Sequence, residues 1–249
     1  MLRTRIIPTL LLRNESLVKT VKFGKFTYVG DPANTVRIFN ELEVDELLFL
    51  DILASKKKHG PNLKVLREVA DECFMPLGYG GGIKSFEDEK PVFDIGFEKV
   101  AINFSSFEKT TLINDLSKHF GSQAVIASID VRTTLFGRKK VYTLGGKKNT
   151  RKDPITWAKE AEKMGVGEIL LTSIENEGTW NGFDYDLVKS VTDAVSIPVV
   201  AHGGAGNTEH IHKVVTNSNA SAVALGSMVV FQKKGMGVLV NFPNIKINE

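Results

Sequence analysis

Asp51 and Asp130 each close an otherwise apolar run, VDELLFLDI at Val44–Ile52 and AVIASID at Ala124–Asp130. A carboxylate there is costly to ionise unless something pairs with it. Both are therefore candidates for acid/base work or substrate contact, the plainer alternative being a cap on the following loop. Asn103, Ser173, His202 and Ser227 fall at the ends of similar runs. Two glycine-rich stretches add anion chemistry: PLGYGGGIKSFED at Pro76–Asp88 and PVVAHGGAGNTEH at Pro198–His210, 122 residues apart. Each reads as a buried strand, a glycine turn and a helix N-terminus whose free N–H groups suit a phosphate. Any tight strand-to-helix turn uses glycine, but a second copy half a chain away predicts two anion sites. Arg5, Glu46, Lys99 and Glu168 each open a strand. They either form a ring of alternating charge or face solvent separately.

The elements that must position these residues recur regularly. Apolar runs of strand length lie at Arg5–Leu11, Glu46–Ile52, Pro76–Tyr79, Lys99–Asn103, Ala124–Asp130, Glu168–Thr172, Ile197–Ala201 and Ala222–Leu225. Amphipathic stretches such as Asp31–Glu43, Leu63–Cys73 and Ile155–Met164 lie between them. Asp31-Pro32 and Asp153-Pro154 place an N-cap before a first-turn proline. Strands buried on both faces and alternating with helices predict a (β/α)8 barrel spanning residues 1–249 as one domain, with a doubly wound open sheet as the alternative. VDELLFLDI aligns with VGEILLTSI at an offset of 122, and RIIPTLLLR with AVIASIDVR at 119, so two half-barrels are expected, about 1–120 and 121–249. In that alignment Asp130 falls opposite Leu11.

Chemistry in such a barrel sits at the C-terminal ends of the strands, and the four strand-opening charges fall at the other mouth. Two long connections, Arg13–Gly30 and Arg132–Lys152, leave the C-terminal face. The stretch Gly137–Asp153 carries Arg138, Lys139, Lys140, Lys147, Lys148, Arg151 and Lys152 against one acid. A solvated hairpin and a cover over a phosphorylated substrate are equally compatible with it. Lys233–Glu249, with two glycines and a proline, makes a poor final helix.

The 249 residues are 42% hydrophobic and 24% charged, with a net charge of +3 and a pI near 8.8. That balance favours anionic small molecules; no aromatic-interleaved platform points to nucleic acid. The single Cys73 excludes an internal disulfide, and no Cys/His spacing suits zinc. No metal or cofactor is expected. With neither a membrane-length apolar run nor a signal-peptide pattern, the expected location is the cytoplasm.

RIIP, DELLFLDI, GGGI, GSQAV, GGKKNT, GEILLTSI and GGAG together resemble the cyclase subunit of imidazole glycerol phosphate synthase, the HisF-like barrels, from Arg3 to about Phe231. The resemblance implies a duplicated half-barrel with two phosphate sites for a bis-phosphorylated substrate. It also implies a glutaminase docked on the N-terminal face and ammonia passing through the core. Arg5, Glu46, Lys99 and Glu168 would then form the gate at the ammonia entrance. Lys19 and Asp130 fall on positions for substrate contact and acid/base work. Asp51, Gly81, Gly82, Asn103, Gly145, Gly146, Thr172, Gly203, Gly204, Gly226 and Ser227 fall where substrate and phosphates are held.

Three departures qualify the resemblance. The family's aspartate near the end of strand one is Leu11, an acid in the loop after strand six is Glu177 rather than aspartate, and a threonine beside Asn103 is Phe104. Leucine transfers no proton, and losing a general acid or base costs ~100- to 10,000-fold in rate. The pattern is similar to a paralogous group encoded with surface-polysaccharide genes. There the barrel and its glutaminase feed ammonia to a sugar amidotransferase that builds an acetamidino group. The expectation is an ammonia-conducting subunit. The alternatives are a working cyclase of histidine biosynthesis and a non-catalytic phosphate-binding scaffold, against which the four strand-opening charges argue.

Overall fold

The structure is a computed structural model and describes residues 4–103, 105–109 and 111–243. In chain order the strands are β1 (Arg5–Arg13), β2 (Ser16–Thr20), β3 (Phe26–Gly30), β4 (Leu47–Asp51), β5 (Leu77–Gly80), β6 (Lys99–Ile102), β7 (Val125–Thr133), β8 (Lys139–Thr143), β9 (Lys148–Asn149), β10 (Glu168–Ser173), β11 (Val199–His202) and β12 (Ala222–Leu225). Eight of them, β1, β4, β5, β6, β7, β10, β11 and β12, pair in parallel in that order. The sheet closes where β10 lies against β7, from Glu168 opposite Ile126 to Ser173 opposite Val131. This closure excludes the open sheet and makes the fold a (β/α)8 barrel.

The two long connections are not simple loops. β1 and β7 run past the barrel rim into antiparallel hairpins, β2–β3 on the first and β8–β9 on the second. Their segments, SLVKT, FTYVG and KKVYT, carry the β-branched and aromatic residues that suit a strand.

Strand alternation explains the interior. Inward residues form a lower layer of Arg5, Glu46, Lys99 and Glu168. Above it lies an apolar layer of Ile7, Leu48, Ala101, Ile126, Leu170 and Val200, buried as a cluster separate from the rest of the core. The upper layer carries Leu11, Asn103, Asp130, Thr172 and His202. Gly78 and Gly80 give β5 no inward side chain, and the space is filled by Leu48 and Leu50 from β4. The opposite strand faces pack on the helices through a much larger core.

Local signals hold at both predicted caps. Asp31 accepts the Asn34 N–H ahead of helix Pro32–Glu41, and Asp153 accepts those of Ile155 and Thr156 ahead of Pro154–Met164. The predicted helices to Glu43 and Cys73 stop two residues earlier, at Glu41 and Asp71. After the single turn Ser227–Val230 the described chain is not helical as far as Pro243, and Phe231 bridges Val238 instead. No described helix is long and apolar enough to cross a membrane.

Helix Phe86–Ile95 contains an anomaly. Glu89 is fully buried and neither carboxylate oxygen has a hydrogen-bond partner. Burial pushes its pKa up to about 8. The unfolded chain ionises this group near pH 4.5 while the fold resists, so its contribution to stability falls as pH rises from about 4.5 to 8. Each tenfold loss of acidity corresponds to ~1.4 kcal/mol. Glu89→Met is therefore expected to gain a few kcal/mol over the native chain at pH 8.5 and little near pH 4. Thermal melts at the two pH values measure this. Equal gains at both would assign the effect to packing instead.

Candidate functional site

The upper layer opens into a cavity of about 130 Å³ at the C-terminal ends of the strands. Leu11, Asp51, Gly81, Gly82, Asn103, Asp130, Gly145, Thr172 and Glu177 all line it. Asp130 Oδ2 accepts a hydrogen bond from Asn103 Nδ2 at 3.1 Å, and the same amide donates to the Ser128 carbonyl at 3.0 Å. Burial is the main reason the Asp130 carboxyl is pushed up to about 7. Glu177 pushes in the same direction, while a hydrogen bond from Thr172 and the charge of Lys56 oppose it. A group poised there can hold or release a proton near neutrality.

The reading of Asp51 as a substrate contact meets its plainer alternative. Its Oδ1 accepts the Leu53 and Ala54 N–H groups at 2.8 and 3.0 Å, tying down the loop that leads into the one-turn helix Ala54–Lys57. That turn delivers Lys56, a residue that sequence reasoning missed. Its ammonium rests against Gly145, where a Cβ would overlap it. Burial and then Lys147 lower its pKa, and Asp130 acts in the other direction. Within the run Lys56, Lys57, Lys58 no residue type distinguishes the first; only the turn geometry does.

A smaller recess shares Glu177 and His202 with the cavity and is lined by Lys19, Gly203, Gly204, Gly226 and Ser227. Lys19 is buried, its ammonium lies against Gly226, and it pairs with Glu177 Oε1 at 3.3 Å. Glu177 Oε2 accepts from Thr20 Oγ1 at 3.1 Å and from the Phe23 N–H at 3.2 Å. The glutamate therefore clasps the β2–β3 turn over the cavity. His202 Nδ1 lies 3.1 Å from Thr172 Oγ1. Burial, reinforced by Lys19, lowers the His202 pKa to about 3, so this imidazole is neutral in the fold.

Gly204 has a φ of 109°, and a Cβ there would overlap the Gly182 carbonyl. Gly204→Ala is expected to cost about 2–5 kcal/mol from backbone strain and overlap together. Gly96→Ala, with a φ of 117° but open space around it, should cost only ~1–2 kcal/mol. Urea unfolding of both variants measures the difference, and equal losses would mean that the Gly182 contact yields freely.

One expected site residue falls elsewhere. Gly146 lies outside both recesses; its carbonyl accepts from Arg132 Nη1 at 2.9 Å, which fixes the β8–β9 turn. Phe104 lies outside the described residues. Of the basic hairpin, Lys139 pairs with Asp184 and Lys152 with Glu160, while Leu144 and Gly145 roof the cavity. The segment is thus a hairpin whose Leu144–Gly145 turn borders the cavity.

At the opposite mouth the four charges close a ring. Arg5 bonds Glu46 at 2.7 Å and also Glu168, and Lys99 bonds Glu46 at 2.8 Å and Glu168 at 3.3 Å. Burial alone would lower the Arg5 pKa, but Glu168 and Glu46 outweigh it and hold the guanidinium above its ordinary value.

The family model described as "Histidine biosynthesis protein" matches residues 5–234. Proteins of Pseudomonas aeruginosa and Vibrio vulnificus, named "Putative imidazole glycerol phosphate synthase subunit" hisF2 and hisF3, are 46% and 42% identical over 245 residues. The matches cover 98% of this chain, and 98% and 94% of theirs. A Leptospira biflexa protein named "Imidazole glycerol phosphate synthase subunit HisF" is 42% identical over 231 residues, 92% of this chain and 91% of its own.

Proposed function

The chain belongs to the histidine biosynthesis protein family as a HisF-like imidazole glycerol phosphate synthase subunit, and from that premise we propose that it conducts ammonia rather than closing an imidazole ring. In this reading a glutaminase docks at the N-terminal mouth and releases ammonia at the ring of Arg5, Glu46, Lys99 and Glu168. The ammonia crosses the apolar middle layer and leaves at the C-terminal face. It then serves a sugar amidotransferase that forms an acetamidino group on a nucleotide-linked sugar for lipopolysaccharide or O-antigen.

The observation that carries the reading is Leu11. It is buried in the wall of the same cavity as Asp130, and it can neither give nor take a proton. Exposed Leu42 and Phe74, on connections that lead into strands at the N-terminal end, support a docked partner there. Lys19 with Gly203, Gly204, Gly226 and Ser227, and Gly81–Gly82 with Asn103, would hold the phosphates of a small molecule.

A second reading, a working cyclase, draws on the Asp130 carboxyl near 7. One assay separates them: purified chain, excess ammonium salt and the family's bis-phosphorylated formimino-ribulosyl carboxamide substrate, followed by loss of absorbance. No turnover, from a chain that still stimulates a glutaminase, is the expected result. Turnover at ~1–1,000 per second would overturn the conduit, and absence of both activities would leave only a phosphate-binding scaffold.

A further inference from the structure

At the tip of the hairpin joining β7 to β8, Leu135 is 102% exposed and Phe136 91% exposed. They are not on a loose end. Thr134 N–H donates to the Arg138 carbonyl at 2.8 Å, Gly137 N–H donates to the Thr134 carbonyl at 2.9 Å, and Gly137 takes the left-handed conformation at a φ of 74°. This is a closed three-residue turn with a glycine bulge, and Leu135 and Phe136 occupy the positions that turns normally give to polar residues. Nothing within the described fold uses their apolar surface. Arg138 beside the tip and Arg151 alongside β8 are exposed basic side chains, with exposed Thr133 and Asn149 among them.

We propose that this tip anchors the enzyme that accepts the ammonia, a partner presenting an apolar pocket rimmed by acidic side chains. The inference rests on the conduit reading and adds where the acceptor binds. Position and charge both support it. The hairpin grows out of β7 beyond Asp130, and its returning strand leads into Leu144 and Gly145, which line the cavity. The tip therefore stands on the C-terminal side of the barrel, the side at which ammonia leaves in the conduit reading, at the far end of β8 from the cavity-lining turn. Two exposed apolar side chains with cations beside them form the small, dense kind of anchor that dominates binding energy, and the cations select an acidic face.

The test uses the full chain with its glutaminase, and as probe the purified nucleotide-sugar amidotransferase of the same organism. The double variant Leu135→Ser, Phe136→Ser is expected to weaken amidotransferase binding by about 30-fold or more. It should leave glutaminase stimulation and ammonium-driven product formation unchanged. Incorporation of ¹⁵N from glutamine amide into the sugar should fall. Equal binding by the double variant overturns the proposal. So does dimerisation of the chain alone that the variant abolishes, or capture by phosphatidylglycerol vesicles in place of the amidotransferase. If the native chain stimulates the glutaminase yet the amidotransferase ignores it, only the docking site falls. If it fails to stimulate the glutaminase, the conduit itself falls and the docking site with it.

Discussion

Leu11→Asp is expected to raise cyclase turnover by ~100- to 10,000-fold, the range that one general acid or base supplies. The position is prepared for it. Leu11 sits on β1 with its backbone fixed against Leu50 on β4 and Val18 on β2, and its side chain lines the cavity with Asp130 and Thr172. A carboxylate there would share a site with one whose pKa already stands near 7. Two acids so placed titrate as a pair with their values driven apart, so the gain should carry a bell-shaped pH profile. The variant should also be less stable at high pH. In the native chain the raised Asp130 pKa already removes stability as pH rises from about 4 to 7, and a second buried acid extends that loss in the same direction. The absorbance assay with ammonium, at pH 6 to 9, reads the rate profile, and thermal melts over the same range read the stability. A folded variant with no gain would mean that other departures, such as Glu177, suffice to silence the cyclase.

Lys99→Met is expected to separate glutamine from ammonium as nitrogen sources. Lys99 bridges both glutamates of the ring, so its loss leaves Arg5 alone between Glu46 and Glu168. Methionine keeps most of the length, one heavy atom short, and removes the charge. Glutamine-dependent transfer to the acceptor should fall at least about tenfold, equivalent to ~1.4 kcal/mol, while transfer from added ammonium stays as in the native chain. Removing one partner of a buried ion pair costs ~3–5 kcal/mol. Because Lys99 keeps 21% of its side chain exposed, the loss in unfolding free energy should sit at or below the low end. The ratio of ¹⁵N product from labelled glutamine to that from labelled ammonium decides the matter. An unchanged ratio would strip the ring of any role in passage.

The barrel was legible because its strands are buried on both faces, so each announces itself as a continuous apolar run. Asp31 and Asp153 were legible because a cap needs only its own helix. The hairpins were harder: β2 and β3 are short, and their partner β1 already looked complete at Leu11. Lys56 could not be read at all, since it differs from Lys57 and Lys58 only in the direction a single turn gives it. The place of Asp51 at a strand end leaves substrate contact and a loop cap both open; the structure adds that Oδ1 accepts two backbone N–H groups while the residue still lines the cavity. The ring could be suspected from four strand-opening charges, but its closure depends on a register that no single strand encodes.

The apolar layer of Ile7, Leu48, Ala101, Ile126, Leu170 and Val200 has an effect of its own. It holds the two groups of charges a layer apart, and distance rather than screening separates them, since an apolar medium screens charge less than water does. The groups that tune Asp130 are Thr172, Glu177 and Lys56, all from its own end of the barrel, and none of the four ring charges is among them. Substitutions at the two ends share no partner, so their free energies should simply add. Either end can then be rebuilt, for a new donor below or a new acceptor above, without retuning the other.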